Sequence, residues 1–174
     1  MTKAASPWAL PATVQGKAAS VCIADRALEV VVGKSTWLHI PIELVLDVTW
    51  TSLSLSFAVV APRRHLCHAP SVLSRAQWTE RHKNAAELEP FTFEAQHVDV
   101  EGAEWAAHVM QLAYHRTRPR RRVLIICNPF GGKGHAKKML DDVVTPTFNA
   151  ARCTIHVVET KKRGDAYRYC ESLD

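Results

Sequence analysis

The stretch RRVLIICNPFGGKGHAKKML, residues 121–140, predicts a strand, a glycine-rich turn and a helix in that order. Apolar residues run from Val123 to Ile126 and are followed at once by turn-forming residues. We therefore predict a strand at 122–127 and a helix at about 134–149. A second strand at 153–158 and a helix starting near Gly164 continue the alternation, which is typical of a parallel sheet covered by helices.

The glycine-rich turn has the composition of a phosphate-binding loop. A helix that begins after such a turn points backbone N–H groups at an incoming anion, glycines let a phosphate approach closely, and Lys133 adds a positive charge. Two common patterns are excluded. A loop ending in Gly-Lys-Ser/Thr would need a glycine where Cys127 stands, and a dinucleotide fingerprint would place its third small residue on Lys137. A tight turn with a solvated lysine is the alternative interpretation.

The residues before about 120 predict a different fold class. Apolar and polar residues alternate through Leu53–Val59 and Phe91–Gln96, which is typical of half-buried antiparallel strands. In residues 101–114, Trp105, Val109 and Leu112 recur at helical spacing and form a stripe that can cover such a sheet. Shorter strands are expected around Val21–Ala24, Ala27–Val32, Trp37–Ile40 and Val45–Thr51.

These patterns divide the chain of 174 residues into four parts. Residues 1–19 are expected to be a flexible N-terminus, and 20–115 an α+β domain whose antiparallel sheet and C-terminal helix resemble a pleckstrin-homology-like regulatory domain. Residues 116–121 form a basic linker. Residues 122–174 are expected to be the N-terminal βαβα part of an incomplete α/β domain, with the glycine-rich turn as its candidate nucleotide-binding loop.

Composition limits the classes of partner and location. The formal charge of +5 is concentrated in Arg116–Arg122, which either lies on an anionic membrane surface or is a solvated linker. No signal peptide or membrane span is evident, and the five cysteines lack a C-x-x-C pair. We expect a cytoplasmic protein, peripheral at membranes if the arginines bind lipid. Basic residues interleaved with aromatics are absent, which argues against nucleic-acid binding.

Together with VVETKKRGDA at 157–166, the string at 121–140 resembles the start of the catalytic domain of the diacylglycerol kinase-like lipid kinases, in the branch of sphingosine (sphingoid long-chain-base) kinases. The resemblance implies an ATP- and Mg²⁺-dependent enzyme that phosphorylates a sphingoid base. It assigns the ATP phosphates to a first segment formed by Asn128, Pro129, Phe130, Gly131, Gly132, Lys133 and Gly134. It assigns a second nucleotide contact to Thr160, Lys161, Lys162, Arg163 and Gly164. Asp165 stands where the family commonly has histidine.

The same resemblance implies that the catalytic aspartate lies elsewhere. The family carries it in a Gly-Asp-Gly segment after the second helix, and these 174 residues contain no Gly-Asp-Gly. We therefore expect no catalytic residue here and no lipid kinase activity from these residues alone. One alternative is a non-catalytic lipid- or protein-binding module with a vestigial loop. Another is a part of a diacylglycerol or ceramide kinase, which shares the loop.

Two weaker motifs are interpreted as structural. Gly33-Lys34-Ser35 imitates the end of a phosphate loop, but Leu28 stands where the first glycine is required, so a hairpin turn is predicted. His65, Cys67 and His68 are potential metal ligands without a second ligand pair at zinc-site spacing. We expect a loop there and no metal site.

Overall fold

The computed structural model describes residues 9–62, 88–96 and 102–173. The chain forms two compact units that divide between Pro119 and Arg120. Within the described ranges, no helix has both the length and the apolar character needed to cross a bilayer. His65, Cys67 and His68 lie outside the described residues.

In the residues that the structure describes, the first unit forms a seven-stranded antiparallel sheet with the strand order β4-β3-β2-β1-β7-β6-β5. Its strands are β1 Ala9–Val14, β2 Lys17–Ala24, β3 Ala27–Val32, β4 Ser35–Pro41, β5 Val45–Thr51, β6 Ser54–Pro62 and β7 Leu88–Gln96. A 3₁₀ turn, Ile42–Leu44, connects β4 to β5. The antiparallel sheet predicted from the alternating pattern is confirmed.

Tight turns join the first four strands. The backbone is left-handed at Gln15 (φ 51°) and Gly16 (φ 74°), and again at Asp25 and Arg26. Such angles match the twist of two-residue hairpins. Gly33 (φ 62°) occupies the turn between β3 and β4, so the prediction of a hairpin turn there, in place of a phosphate loop, is confirmed.

One helix, α1 Gly102–Tyr114, covers the sheet. Trp105 is 2% exposed and meets Phe57 edge to face, with ring centroids 5.9 Å apart. Phe57 in turn stacks on Phe93 at 4.6 Å. At the other end of the helix, the Tyr114 hydroxyl donates to the Leu46 carbonyl at 2.6 Å. The predicted apolar stripe therefore faces the core.

Two details of the sequence prediction are wrong. Residues 9–19 are part of the sheet, since β1 pairs with β2 along its whole length from Ala9↔Cys22 to Val14↔Lys17. Pro11 made this segment resemble a flexible terminus, but Pro11 pairs with Ser20 of β2, so the proline does not interrupt the strand. Leu53 also departs from the alternation: it is 67% exposed, in the turn before β6.

The second unit is built on two parallel strands, β8 Arg122–Cys127 and β9 Thr154–Glu159. Between them run a 3₁₀ turn and three consecutive helical segments, and a last helix follows β9. These are the turn Gly132–Gly134, α2 Ala136–Met139, a π-helical turn Leu140–Val144, α3 Thr145–Ala150 and α4 Asp165–Glu171. The predicted parallel order is confirmed.

The helix predicted at 134–149 is less regular than its sequence pattern. It begins at Ala136, and a π-helical turn interrupts it before Pro146. Proline has no N–H to donate to the preceding turn, and a widened turn is one way for a helix to absorb that loss. Leu140 in this turn is nevertheless buried.

Candidate phosphate-binding segments

The first predicted segment, Asn128–Gly134, begins where β8 ends. Asn128 stabilises the turn through two hydrogen bonds: its Oδ1 accepts one from the Phe130 N–H at 3.1 Å, and its carbonyl accepts one from the Gly131 N–H at 2.9 Å. Asparagine favours such turns because its side chain imitates a backbone acceptor. The arrangement leaves the Phe130 ring 78% exposed.

Glycine is favoured at two positions of this segment for different reasons. At Gly131, a Cβ would lie 3.1 Å from the Asn128 carbonyl oxygen, so a side chain would need this backbone to shift by a few tenths of an ångström. At Gly134, φ is 82°, an angle that side chains disfavour. Lys133 also adopts a left-handed conformation (φ 60°, ψ 34°), and its side chain is exposed. The backbone thus reverses before it enters α2.

The N–H groups of the loop are partly used within it. Gly131 donates to Asn128, and the Gly134 N–H donates to the Gly131 carbonyl at 3.0 Å. Two N–H groups of the glycine-rich turn are therefore bonded to carbonyl groups of the same turn. In the described conformation, phosphate contact by Gly131 or Gly134 would require these internal bonds to open.

The second predicted segment, Thr160–Gly164, begins beside Cys127, the residue that precedes the first segment. The Thr160 N–H donates to the Cys127 carbonyl at 2.9 Å, and the Thr160 hydroxyl approaches the same oxygen at 3.4 Å. Because β8 and β9 are parallel, their carboxyl ends share one edge of the sheet, where ligands of open α/β sheets bind. Two segments that are about thirty residues apart in the chain are thereby placed side by side.

An ion pair also links the elements that flank the two segments. Lys137 of α2 pairs with Glu159, the last residue of β9. The hydrogen bond to Glu159 raises the pKa of Lys137 above its ordinary value. Both groups are solvent-exposed, so the pair contributes little to stability but helps to orient α2 relative to β9.

Asp165 organises the second segment from its C-terminal side. Its Oδ2 accepts the N–H groups of Lys161 and Lys162 at 2.8 and 2.9 Å, and its Oδ1 accepts from the Arg168 guanidinium at 2.6 Å. These bonds, the one from Lys161 first, lower the pKa of Asp165 to about 2. Gly164 (φ 88°) provides the left-handed residue that the turn needs before α4.

The site therefore combines a glycine-rich turn and exposed cationic side chains at the carboxyl ends of β8 and β9. The side chains of Lys161, Lys162 and Arg163 are exposed. Among the residues that the structure describes, no group of three or more His, Cys, Asp or Glu side chains is arranged to hold a metal. The sequence pattern pointed to both segments but missed Glu159, Lys137 and the inward role of Asp165. The Gly-Asp pair at a helix start was the available signal for the last.

Comparison with known proteins supports the resemblance found in the sequence. Residues 122–174 match the family model described as the diacylglycerol kinase catalytic domain. The chain is 39% identical over 66 residues to sphingoid long chain base kinase 5 of Saccharomyces cerevisiae, a match that covers 38% of this chain and 10% of that protein. It is 30% identical over 71 residues to sphingoid long chain base kinase 4 of Schizosaccharomyces pombe, covering 41% of this chain and 16% of that protein. No solved structure matches the chain significantly.

Proposed function

Because residues 122–174 match the diacylglycerol kinase catalytic-domain model and the chain is similar to two sphingoid-base kinases, we propose that the chain is the N-terminal part of an ATP-dependent sphingoid-base kinase. The observation that supports this proposal most is the meeting of the two sequence-predicted segments at the carboxyl ends of β8 and β9. This edge is where a nucleotide is expected in an open parallel sheet.

In this proposal the ATP phosphates lie against Asn128–Gly134, with Thr160–Gly164 beside them. The close approach of Gly131 to the Asn128 carbonyl keeps the turn compact, and Lys133 supplies an exposed positive charge. Mg²⁺ bound to the ATP phosphates would offset their charge during phosphoryl transfer. The hydroxyl group of a sphingoid base is the acceptor, and residues outside these 174 activate it, since no Gly-Asp-Gly occurs among them.

The first unit has a regulatory role in the same proposal. Seven antiparallel strands followed by one covering helix support a pleckstrin-homology-like architecture. The arginines of Arg116–Arg122 are exposed and would place the protein at an anionic membrane surface, each one adding about 1 kcal/mol near the lipid. The location is then cytoplasmic and peripheral.

Two other functions are compatible with the same structure. In a non-catalytic lipid- or protein-binding module, the first unit would do the work and the glycine loop would be vestigial. In a diacylglycerol or ceramide kinase, the loop would bind ATP in the same way and only the acceptor lipid would differ. The names of the two relatives favour the sphingoid base.

ATP affinity of loop variants tests the proposal. Gly132→Asp puts a carboxylate in the path of the phosphates, so we expect ATP binding by the 174-residue chain to weaken by at least about tenfold. Lys133→Ala should weaken binding by about 1–2 kcal/mol, because the backbone donors remain. Calorimetric titration with Mg-ATP measures both, and a thermal melt verifies that each variant is folded.

Lys34 provides a matched control, because Gly33-Lys34 is also a glycine–lysine turn with an exposed lysine. Lys34→Ala should leave ATP affinity unchanged. Equal ATP binding by wild type and a folded Gly132→Asp variant would contradict the nucleotide role of the loop and favour the non-catalytic module.

A further inference from the structure

The carboxylate of Asp165 holds the backbone that precedes it. One oxygen accepts two consecutive N–H groups, from Lys161 and Lys162, and the other accepts from Arg168. The Asp165 N–H also donates to the Lys162 carbonyl at 3.3 Å, which closes the same turn. The N–H groups of Lys161 and Lys162 are thus directed at a protein carboxylate.

Thr160 is also directed inward. Its N–H and its hydroxyl both point at the Cys127 carbonyl, at 2.9 and 3.4 Å. From Thr160 to Lys162, three consecutive backbone donors are therefore used by the protein itself. The side chains of Lys161, Lys162 and Arg163 are left exposed on the same short segment.

A carboxylate beside a phosphate site would ordinarily oppose anion binding. Here its charge is offset by two amide donors and by the Arg168 guanidinium, so little of it faces outward. These bonds fix the backbone of the turn, and the backbone sets the positions from which the side chains of Lys161, Lys162 and Arg163 extend. Asp165 therefore influences the binding of an anion indirectly, by holding the backbone of Lys161, Lys162 and Arg163 in place.

We propose that Asp165 is the positioning residue of the second segment, and that this segment contacts ATP through the side chains of Lys161, Lys162 and Arg163 while the N–H groups of Lys161 and Lys162 stay bound to Asp165. The inference rests on the proposed ATP function and specifies which groups of the segment perform it.

Substitutions at Asp165 test the hydrogen-bond acceptor and the negative charge of this side chain separately. Asp165→Ala removes both, so Mg-ATP should bind about tenfold more weakly, and the Lys161 and Lys162 amides should exchange with solvent faster. Asp165→Asn keeps one oxygen without the charge and should fall between Ala and wild type. Arg168→Ala leaves the two amide bonds in place and should have the smallest effect.

A second pair of variants tests the contact itself. The double substitution Lys161→Gln with Lys162→Gln should weaken ATP binding by about tenfold while the exchange of the two amides stays as in wild type. Asp142→Asn, at an exposed acid of the π-helical turn, is the control for removing one negative charge and should change neither quantity.

Calorimetric titration with Mg-ATP and amide hydrogen exchange, both on the 174-residue chain, distinguish the outcomes. Weaker binding by Asp165→Ala together with faster exchange supports the inference. Unchanged or tighter binding by this variant, with wild type binding normally, would overturn it, and tighter binding would mean that the carboxylate competes with phosphate. Absence of ATP binding by wild type would instead contradict the proposed function.

Discussion

At the scale of single residues, the acidity of Asp165 reports whether the second segment is formed. The pKa of its carboxyl is lowered from 3.8 to about 2, first by the Lys161 N–H, then by Arg168 and the Lys162 N–H. A lowered pKa in the folded state means that the ionised carboxylate stabilises the fold. That contribution is complete above the unfolded value of about 3.8 and is lost as the pH falls through about 2.

The lowered pKa of the Asp165 carboxyl can be measured directly. In a pH titration of the carboxyl carbon followed by NMR, Asp165 should titrate near 2, while an exposed acid without such partners should titrate near 3.8. The folded population of wild type should also fall more steeply than that of Asp165→Asn between about pH 4 and pH 2. A midpoint for Asp165 close to its ordinary value would show that the amide bonds are not formed in solution.

At the scale of elements, α1 completes the core of the first unit. Trp105 and Val109 are buried against the sheet, and the Trp105 ring contacts Phe57, a residue of the central part of β6. The sheet would otherwise expose this face, because its strands alternate and bury only one side. The helix therefore stabilises the sheet by covering it.

Trp105→Ala should lower the free energy of unfolding of the first unit by roughly 3–5 kcal/mol, since it removes a buried aromatic ring and leaves a cavity. Leu53→Ala, at an exposed turn position, should change it by less than about 0.5 kcal/mol. Chemical denaturation measures both free energies when it is followed by far-UV circular dichroism, which reports on the backbone and not on the tryptophan. A loss well below 1 kcal/mol for Trp105→Ala would mean that the helix does not cap the sheet.

Periodicity explains which elements could be predicted from sequence. Strands β3, β5 and β8 have the bounds expected from their apolar runs, and the stripe of α1 follows from helical spacing. Strand β1 was missed because it carries a proline and two alanines, which weaken the strand signal. The contacts of Asp165 were missed because they depend on where a turn aims its N–H groups, and spacing along the chain does not determine that direction.

At the scale of the whole molecule, β1 joins the two halves of the seven-stranded sheet. It lies between β2 and β7 in the strand order, so without it the set β4-β3-β2 has no neighbour on the other side. Leu10 and Val14 of β1 are also buried, at 6% and 2% exposure. The expected domain boundary at Ser20 would therefore remove a structural strand.

A chain that starts at Ser20 should lose on the order of 5 kcal/mol or more, which is comparable to the stability of an ordinary domain, and should show no cooperative thermal unfolding of the first unit. A chain that starts at Ala9 keeps β1 and should retain the transition. Differential scanning calorimetry of the two shortened chains tests this. A cooperative transition that survives in the chain starting at Ser20 would refute the bridging role of β1.

The most direct test of the central claim, that the two segments together bind ATP, is an NMR titration of the ¹⁵N-labelled 174-residue chain with Mg-ATP. If both segments bind ATP, the amide signals of Asn128–Gly134 and Thr160–Gly164 should shift saturably, while signals of the first unit stay unchanged. The Gly132→Asp variant should lose these shifts. Saturable shifts confined to other residues, or no shifts at millimolar ATP, would contradict the claim.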